Sequence, residues 1–319
     1  MSVKTIVEAD QVVRGRRTKR PKRVNVAAEL ARIPLYLWAV VVLIPFWWMI
    51  IAAFKTVPEL MKNPPTFFPE NPSADSFYDP EYQGPGGDPD PDHVAGVFQR
   101  WEDVAGGFFR FALNSFGITV VVTVLSLLIA SLAAYMLTKT AAPGRRTAFV
   151  VIISSMMIPW QVSLIPNYLL TSDLGMTDSY LGYIIPGLAK AFVVFFLVQY
   201  LRSIPDDLVH AARVDGASEW RIWWQIILPL LRPALAAMAI FVALGEWNNF
   251  LWPLIIIRSD ELMNLPVALS NLNNAIVSSP GQMGVAMAAS LLATLPTVVF
   301  FFLFQKHFIK GIALSGIKA

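Results

Sequence analysis

The sequence predicts an all-α, polytopic membrane protein with six transmembrane helices joined by loops of very unequal length. Three observations carry that prediction. Of the 319 residues, 55% are hydrophobic and 15% are charged, whereas a soluble globular chain carries about a quarter charged residues. Six apolar runs, at 33–54, 111–137, 147–170, 181–201, 234–257 and 286–304, are long enough to cross the hydrocarbon core as helices rising about 1.5 Å per residue. Of the 25 Lys and Arg, 19 fall in the four segments that these runs leave on one side and five in the three segments on the other. That imbalance assigns the basic side to the cytoplasm, and an even number of spans with both termini inside satisfies hydropathy and charge together. No cysteine occurs, which excludes disulfides, thiolate nucleophiles and thiolate metal sites.

Residues 1–32 form a basic N-terminal tail in which Arg14, Arg16, Arg17, Lys19, Arg20, Lys22 and Arg23 crowd together. Because an apolar span follows directly, the tail reads as a cytoplasmic anchor drawn to anionic lipid rather than as a nucleic-acid arm. The run 33–54 has no charge, is longer than a signal-peptide core and lacks a small-residue cleavage site, so it is expected to remain as the first span. Residues 55–110 turn to proline, glycine and acid and are expected to form an extracytoplasmic loop with too little apolar surface for a core of its own. Asp88, Asp90 and Asp92 alternate as in a calcium loop, but His93 stands where the sharp-turn glycine belongs and Gln99 where the bidentate glutamate belongs, which favours a solvated linker. Trp101, Phe108, Phe109 and Phe111 suit a return along the membrane interface.

Residues 111–304 hold the other five spans. Asn114 and Ser115 open the second. Pro159 and Pro166 bracket Gln161 in the third and free backbone groups there, either as a packing kink or as part of a translocation path. Lys190 lies inside the fourth span, where a charge faces a water-filled cavity or a partner, or snorkels to the interface. The fifth contains Glu246, Trp247, Asn248 and Asn249. Amide and carboxylate groups suit sugar hydroxyls and an indole suits the apolar face of a sugar ring, although interhelical hydrogen bonding accounts for the same residues. Gln161, Lys190, Glu246, Trp247, Asn248 and Asn249 are the substrate-pathway candidates. Residues 258–285 read as a polar outer loop and 305–319 as a basic cytoplasmic tail.

Between the fourth and fifth spans, residues 204–233 are polar and closely patterned. Pro205 fits a first helical turn, and Asp206 and Asp207 place negative charge at the positive end of the helix dipole. Leu208, Ala211, Ala212 and Asp215 recur at steps of three and four and present a face with two small alanines. Gly216 supplies the positive φ that ends a helix, Ser218 caps the next, and Trp220, Trp223 and Trp224 suit the membrane interface. The segment is therefore expected to be a helix, a turn and a second helix at the bilayer surface.

The residues His210, Ala211, Ala212, Asp215, Gly216 and Ala217, followed by Ile226, Leu228 and Pro229, resemble the EAA signature of membrane subunits of bacterial ABC importers. His210 stands where that family usually has glutamate, and Asp206 lies one turn earlier. Asn114 with Ser115, the run 158–170, and Glu246 through Pro253 are similar to segments of the carbohydrate-uptake branch, in particular the maltose-type second permease, with Asn249 where glutamate is usual. The tail, with Lys310, Gly311, Gly316 and Lys318, is similar to that subunit's C-terminus, and residues 73–92 form a longer acidic loop than is usual there.

The resemblance implies a type I ABC importer permease fold in a bacterial or archaeal inner membrane, with residues 204–233 as a coupling helix docked on a separate ATPase. It implies contact of the tail with two ATPase subunits, pairing with a second, different permease, delivery of a sugar by a soluble binding protein, and no nucleic-acid partner. ATP and Mg would be bound by the partner ATPase; this chain has no phosphate-binding G-x-x-x-x-G-K-[ST] loop and needs no cofactor of its own. Within the importer class, an amino acid, polyamine or phosphodiester is the alternative solute. Glu246 and Lys190 leave an ion-driven secondary transporter as a further reading. A membrane enzyme would need converging catalytic groups, whereas His93, His210 and His307 fall in separate regions.

Overall fold

The computed structural model describes residues 26–82, 93–101, 106–276 and 282–316, with side chains at 32–82, 93–101, 106–272 and 282–302. The basic tail up to residue 25, the run 83–92 with its three aspartates, and Lys318 lie outside the described residues. All regular structure among the described residues is helical. The chain divides into two units, Met1–Trp48 and Met49–Ala319.

The first unit carries most of helix α1 (Val26–Ala53). From Ile33 to Trp47 its side chains are exposed, and most of them are apolar. The stretch Arg32–Ala53 is long and apolar enough to cross a membrane, as the sequence predicts for 33–54.

In the second unit the long helix α3 (Gly107–Lys139) packs along α7 (Ala191–Arg202) and α11 (Arg232–Trp247), after the short α2 (Val57–Leu60). Lipid tails are as apolar as leucine, so burial alone does not hold helices together in a bilayer; close approach does. α3 supplies it with Ser126, Ala130 and Ala134, small and fully buried residues one turn apart. Ala130 and Ala134 belong to a cluster that includes Val193, Leu197 and Leu201 of α7 and Ala234 and Met238 of α11.

Three expected spans differ from single helices. The run 147–170 divides into α4 (Arg145–Ser155) and α5 (Leu164–Asp173). The cause is local: Met156, Met157 and Ile158 donate to carbonyls three residues back, which tightens the helix until it ends, and Pro159 follows. Pro166 sits in the first turn of α5, where its missing N–H costs no helical bond. The fourth span breaks between α6 (Tyr180–Gly187) and α7 with a 40° bend. The fifth ends at Trp247 and resumes as α12 (Leu251–Ile256). Among the described residues, by length and composition, three helices qualify as membrane spans, and up to five segments do when each bent pair is counted as one.

Prolines explain where the freed backbone groups go. Pro186 has no N–H for the carbonyl of Gly182 four residues back, and that carbonyl accepts instead from Trp252 Nε1 at 3.1 Å. Pro253 likewise leaves the carbonyl of Asn249 to accept from Asn264 Nδ2 at 2.7 Å. Each orphaned acceptor is satisfied across elements, as a dry environment demands.

Two loops are more ordered than composition suggests. Residues 258–285 are not simply polar and external: a 3-10 turn (Asp260–Leu262) leads into α13 (Leu265–Ile276), whose Leu265, Val267, Ala268 and Leu272 are buried. Asn114 Nδ2 donates to the carbonyls of Glu261 and Met263, and Ser115 Oγ accepts from Leu265 N, so these two α3 residues hold the loop down. The described part of 55–110 packs as well: Val97, Phe77, Phe98 and Trp101 join Phe108 and Phe111 of α3 and residues of α13 in one cluster. Buried Lys55 and Glu59 lie 3.6 Å apart, Thr66 bonds to both, and His93 stands between Asp79 and Glu81. The segment's apolar residues are thus buried with the help of α3 and α13, not in a core of the segment's own. The last helix, α14 (Met283–Gly316), continues past the expected end of the sixth span through most of the tail.

Candidate functional site

The polar hairpin between the fourth and fifth spans folds as its sequence predicts. Helix α8 (Asp207–Val214) starts after Pro205 and ends at Asp215. Gly216 adopts φ +78°, and its N–H bonds to the carbonyl of Arg213 while Ala217 N bonds to that of Ala212. These two bonds form a Schellman cap, which requires the left-handed residue at that position. Ser218 caps α9 (Glu219–Ile222) by accepting from Arg221 N. A π-helical turn (Trp223–Ile227) and α10 (Leu228–Leu230) follow, and the chain then bends by 77° into α11. Of the three tryptophans, Trp220 and Trp224 are exposed as expected for the interface, whereas Trp223 is buried.

Two polar anchors brace the hairpin against the end of α3. Lys139, 3% exposed, donates from Nζ to Asp206 Oδ1 and to the carbonyl of Ile204, each at 2.5 Å. The Lys139 ammonium holds the Asp206 carboxyl below the usual range. Asp206 is therefore engaged within the chain by Lys139 while its side chain stays 63% exposed. Arg213 Nε donates to Glu219 Oε1 at 2.8 Å and Nη2 to the carbonyl of Lys139 at 2.7 Å, while Tyr135 donates its hydroxyl to Glu219. Arg213 first, then Tyr135, lowers the Glu219 pKa. A cavity of about 810 Å³ opens beside this brace, lined by Tyr135, Met136, Arg213, Glu219 and Trp220 among others.

Val209 is buried and Ala212 packs half-buried on the core cluster, so Ala212 lies on the seated side of α8 and not on its free face. Leu208, His210, Ala211, Val214 and Asp215 are exposed, Val214 at 88%. Ala217, Ile226, Leu228 and Pro229 are partly buried, and the first three pack on the same cluster. The hairpin thus presents a small apolar and acidic face on a rigidly held base.

The second group of candidates meets within the membrane-spanning part. Lys190, at the N-cap of α7, places Nζ 2.6 Å from Glu246 Oε1 in the last turn of α11; their side chains are 30% and 5% exposed. Asn249 Nδ2 donates to Glu246 Oε2 at 3.3 Å. Asn264, which the sequence reading missed, joins the carbonyl of Asn249 to the hydroxyl of Tyr183. The other candidates diverge. Trp247 turns its indole N–H to the carbonyl of Ala293 in α14 and packs on the neighbouring cluster, so its ring is a packing element here. Asn248 is exposed and bonds to the carbonyl of Leu244 in its own helix. Gln161 is exposed in the break between α4 and α5, away from this network. Thr119 and Thr123 of α3 carry buried hydroxyls with no hydrogen-bond partner among the described residues. Of the tail candidates, Lys310, Gly311 and Gly316 lie on the backbone of α14, and the side chain of Lys310 is outside the described residues.

The family described as binding-protein-dependent transport system inner membrane component matches residues 126–314, which include the hairpin, the ion pair and all but the last two residues of α14. The chain belongs to this family. Among its relatives, the arabinooligosaccharides transport system permease protein AraQ of Halalkalibacterium halodurans is 33% identical over 282 residues, 88% of this chain and 92% of that protein. The lactose transport system permease protein LacG of Rhizobium radiobacter is 32% identical, covering 89% and 94%. A solved chain from a bacterial ABC transporter involved in importing the acidic polysaccharide alginate superposes with a TM-score of 0.73 over 91% of this chain and 99% of that one, at 23% identity. That likeness establishes the shared fold. The family is thus an inner membrane component of a transport system, in keeping with the apolar helices described above.

Proposed function

We propose that this protein is the permease subunit of a binding-protein-dependent ABC importer for a sugar, forming half of the translocation pathway. The observation that carries the sugar assignment is the similarity to permeases named for arabinooligosaccharides and lactose over about nine-tenths of each chain. The hairpin supports the rest: α8 is anchored by Lys139, Val209 and Ala212 and leaves Leu208, Ala211, Val214 and Asp215 free to enter a cleft on a separate ATPase. Six spans are counted when 145–173 crosses as a broken helix, with both termini in the cytoplasm of the cell that holds this inner membrane. The other half of the pathway is a second, different permease; two ATPase copies bind ATP and Mg, a soluble binding protein delivers the sugar, and the tail reaches the ATPases through Lys310, Gly311, Gly316 and Lys318.

Mechanically, ATPase closure displaces the exposed face of α8, and the anchors transmit that displacement to α3 and α7. Packed helices respond by switching between discrete arrangements rather than by bending continuously. Lys190, Glu246 and Asn249 stand beside the route taken by the sugar, with Asn248 at its edge.

Intact-complex mass of the protein purified in mild detergent with its native neighbours tests the assembly: one different permease and two ATPases are expected, and a complex without any ATPase would sink the coupling assignment. Uptake of arabinobiose and lactose into proteoliposomes containing that complex, enclosed ATP and the binding protein tests the solute. Import of a phosphodiester with neither sugar would replace the sugar reading.

A further inference from the structure

We infer that the Lys190–Glu246 ion pair is a positioning element of the transport step: it fixes the breaks of two spans against each other so that the half-helices beyond them move as one body. This rests on the permease reading above. The breaks at 188–190 and 248–250 are linked directly, because Lys190 caps α7 at the first and Glu246 ends α11 just before the second, with 2.6 Å between Nζ and Oε1. On one side of the breaks, α7 and α11 share the core cluster with α3. On the other, α6 and the turn before it are joined to α12 by Trp252 Nε1 on the carbonyl of Gly182, by Asp178 N on the carbonyl of Ile256, and by shared packing of Tyr183 with Trp252 and Ile256. Asp178 also accepts from the backbone N–H of Arg258 and of Ser259. The outer half-helices are thus bonded to each other, in part through the Gly182 carbonyl that Pro186 leaves unpaired, while the helical ladder joining each to its inner half is interrupted.

The ion pair stands at that interruption. Glu246 is 5% exposed; burying a charge without a partner is costly, and breaking a buried pair by removing one member leaves an uncompensated charge. Asn249 and the Asn264 amide continue the chain of contacts from Glu246 to Tyr183, so the state of the pair is felt on both sides of both breaks.

The test uses the assembled complex in proteoliposomes, with uptake of arabinobiose or lactose and ATP hydrolysis each expressed per assembled complex. In Glu246→Gln and in Lys190→Met, uptake is expected to fall about tenfold or more while ATP hydrolysis continues, raising the ATP consumed per sugar. The exchanged pair, Lys190→Glu with Glu246→Lys, is expected to recover most of the lost uptake. Uptake per complex within about twofold of the parent in both single variants, or an exchanged pair no better than the singles, would overturn the inference. Should Glu246→Gln fail to assemble, Lys190→Met, at the more exposed partner, decides the matter by the same measure. A parent complex that imports neither sugar contradicts the proposed solute and leaves the pair to be scored on whichever solute the complex imports.

Discussion

Lys139 and Glu219 set the position of the polar hairpin through contacts that no local pattern announces. Lys139 reads as one member of a short basic loop, yet its ammonium is buried and holds both Asp206 and the carbonyl of Ile204. Glu219 accepts from Arg213 and Tyr135, and its folded pKa lies below the ordinary 4.5. A carboxyl with a depressed folded pKa contributes stability that is complete above the unfolded value and is lost as pH falls through the folded one. Glu219→Gln is therefore expected to lower the thermal midpoint of the complex near neutral pH, and the difference from the parent should shrink as pH drops below about 4.5. With Glu219 50% exposed, the pair is screened and worth about 0.2–1 kcal/mol. Thermal unfolding followed against pH checks this; a difference that stays constant across that range would show that the charge on Glu219 does not stabilise the hairpin.

At the scale of single elements, the turn after α8 depends on backbone conformation alone. A Cβ at Gly216 would meet nothing within 4 Å, so a larger residue there is opposed only by φ +78°. The left-handed region costs a β-branched residue roughly 1–2 kcal/mol, whereas asparagine visits it readily. Gly216→Val is expected to lose sugar uptake while the complex still assembles, and Gly216→Asn to retain most of it; equal uptake in the two variants would dissociate the cap from coupling. Gly182 is constrained differently. A Cβ there would lie 2.0 Å from the carbonyl oxygen of Met176 in the preceding turn, so Gly182→Ala must push α6 away from that turn. Its carbonyl would then lose the bond from Trp252 Nε1, and the variant is expected to unfold at a lower temperature than the parent, measurable by tryptophan fluorescence on heating.

For the whole molecule, the absence of cysteine in the chain makes topology directly measurable. Single cysteines at exposed positions report their side of the membrane when intact cells meet a membrane-impermeant maleimide. Asn71→Cys and Ser172→Cys are expected to react in intact cells, and Ala141→Cys only after lysis. Reaction of Ala141→Cys in intact cells, or silence at Ser172→Cys, would break the six-span arrangement, and the broken segment 145–173 is where such a failure would start. The same molecule-wide view explains the segment 55–110, whose Val97 and Phe98 pack with Phe77 and Trp101 of the segment and with α3 and α13 beyond it.

Much of this protein was legible in its sequence because hydropathy, charge and turn chemistry are properties of short windows. The apolar runs, the uneven distribution of Lys and Arg, and the helix, Gly216 turn and Ser218 cap of the hairpin each depend on residues within a few turns of one another, and the structure repeats the hairpin closely. Prolines in the third span marked a disturbance, and Lys190 and Glu246 were conspicuous as charges among apolar neighbours. That those two charges neutralise each other across 56 residues, that Tyr135 meets Glu219 across 84, and that Trp247 is committed to α14 were decided by packing. A buried polar group must find a partner, but which partner it finds depends on which helices pass within about 3 Å of it, and only the folded chain brings those helices together.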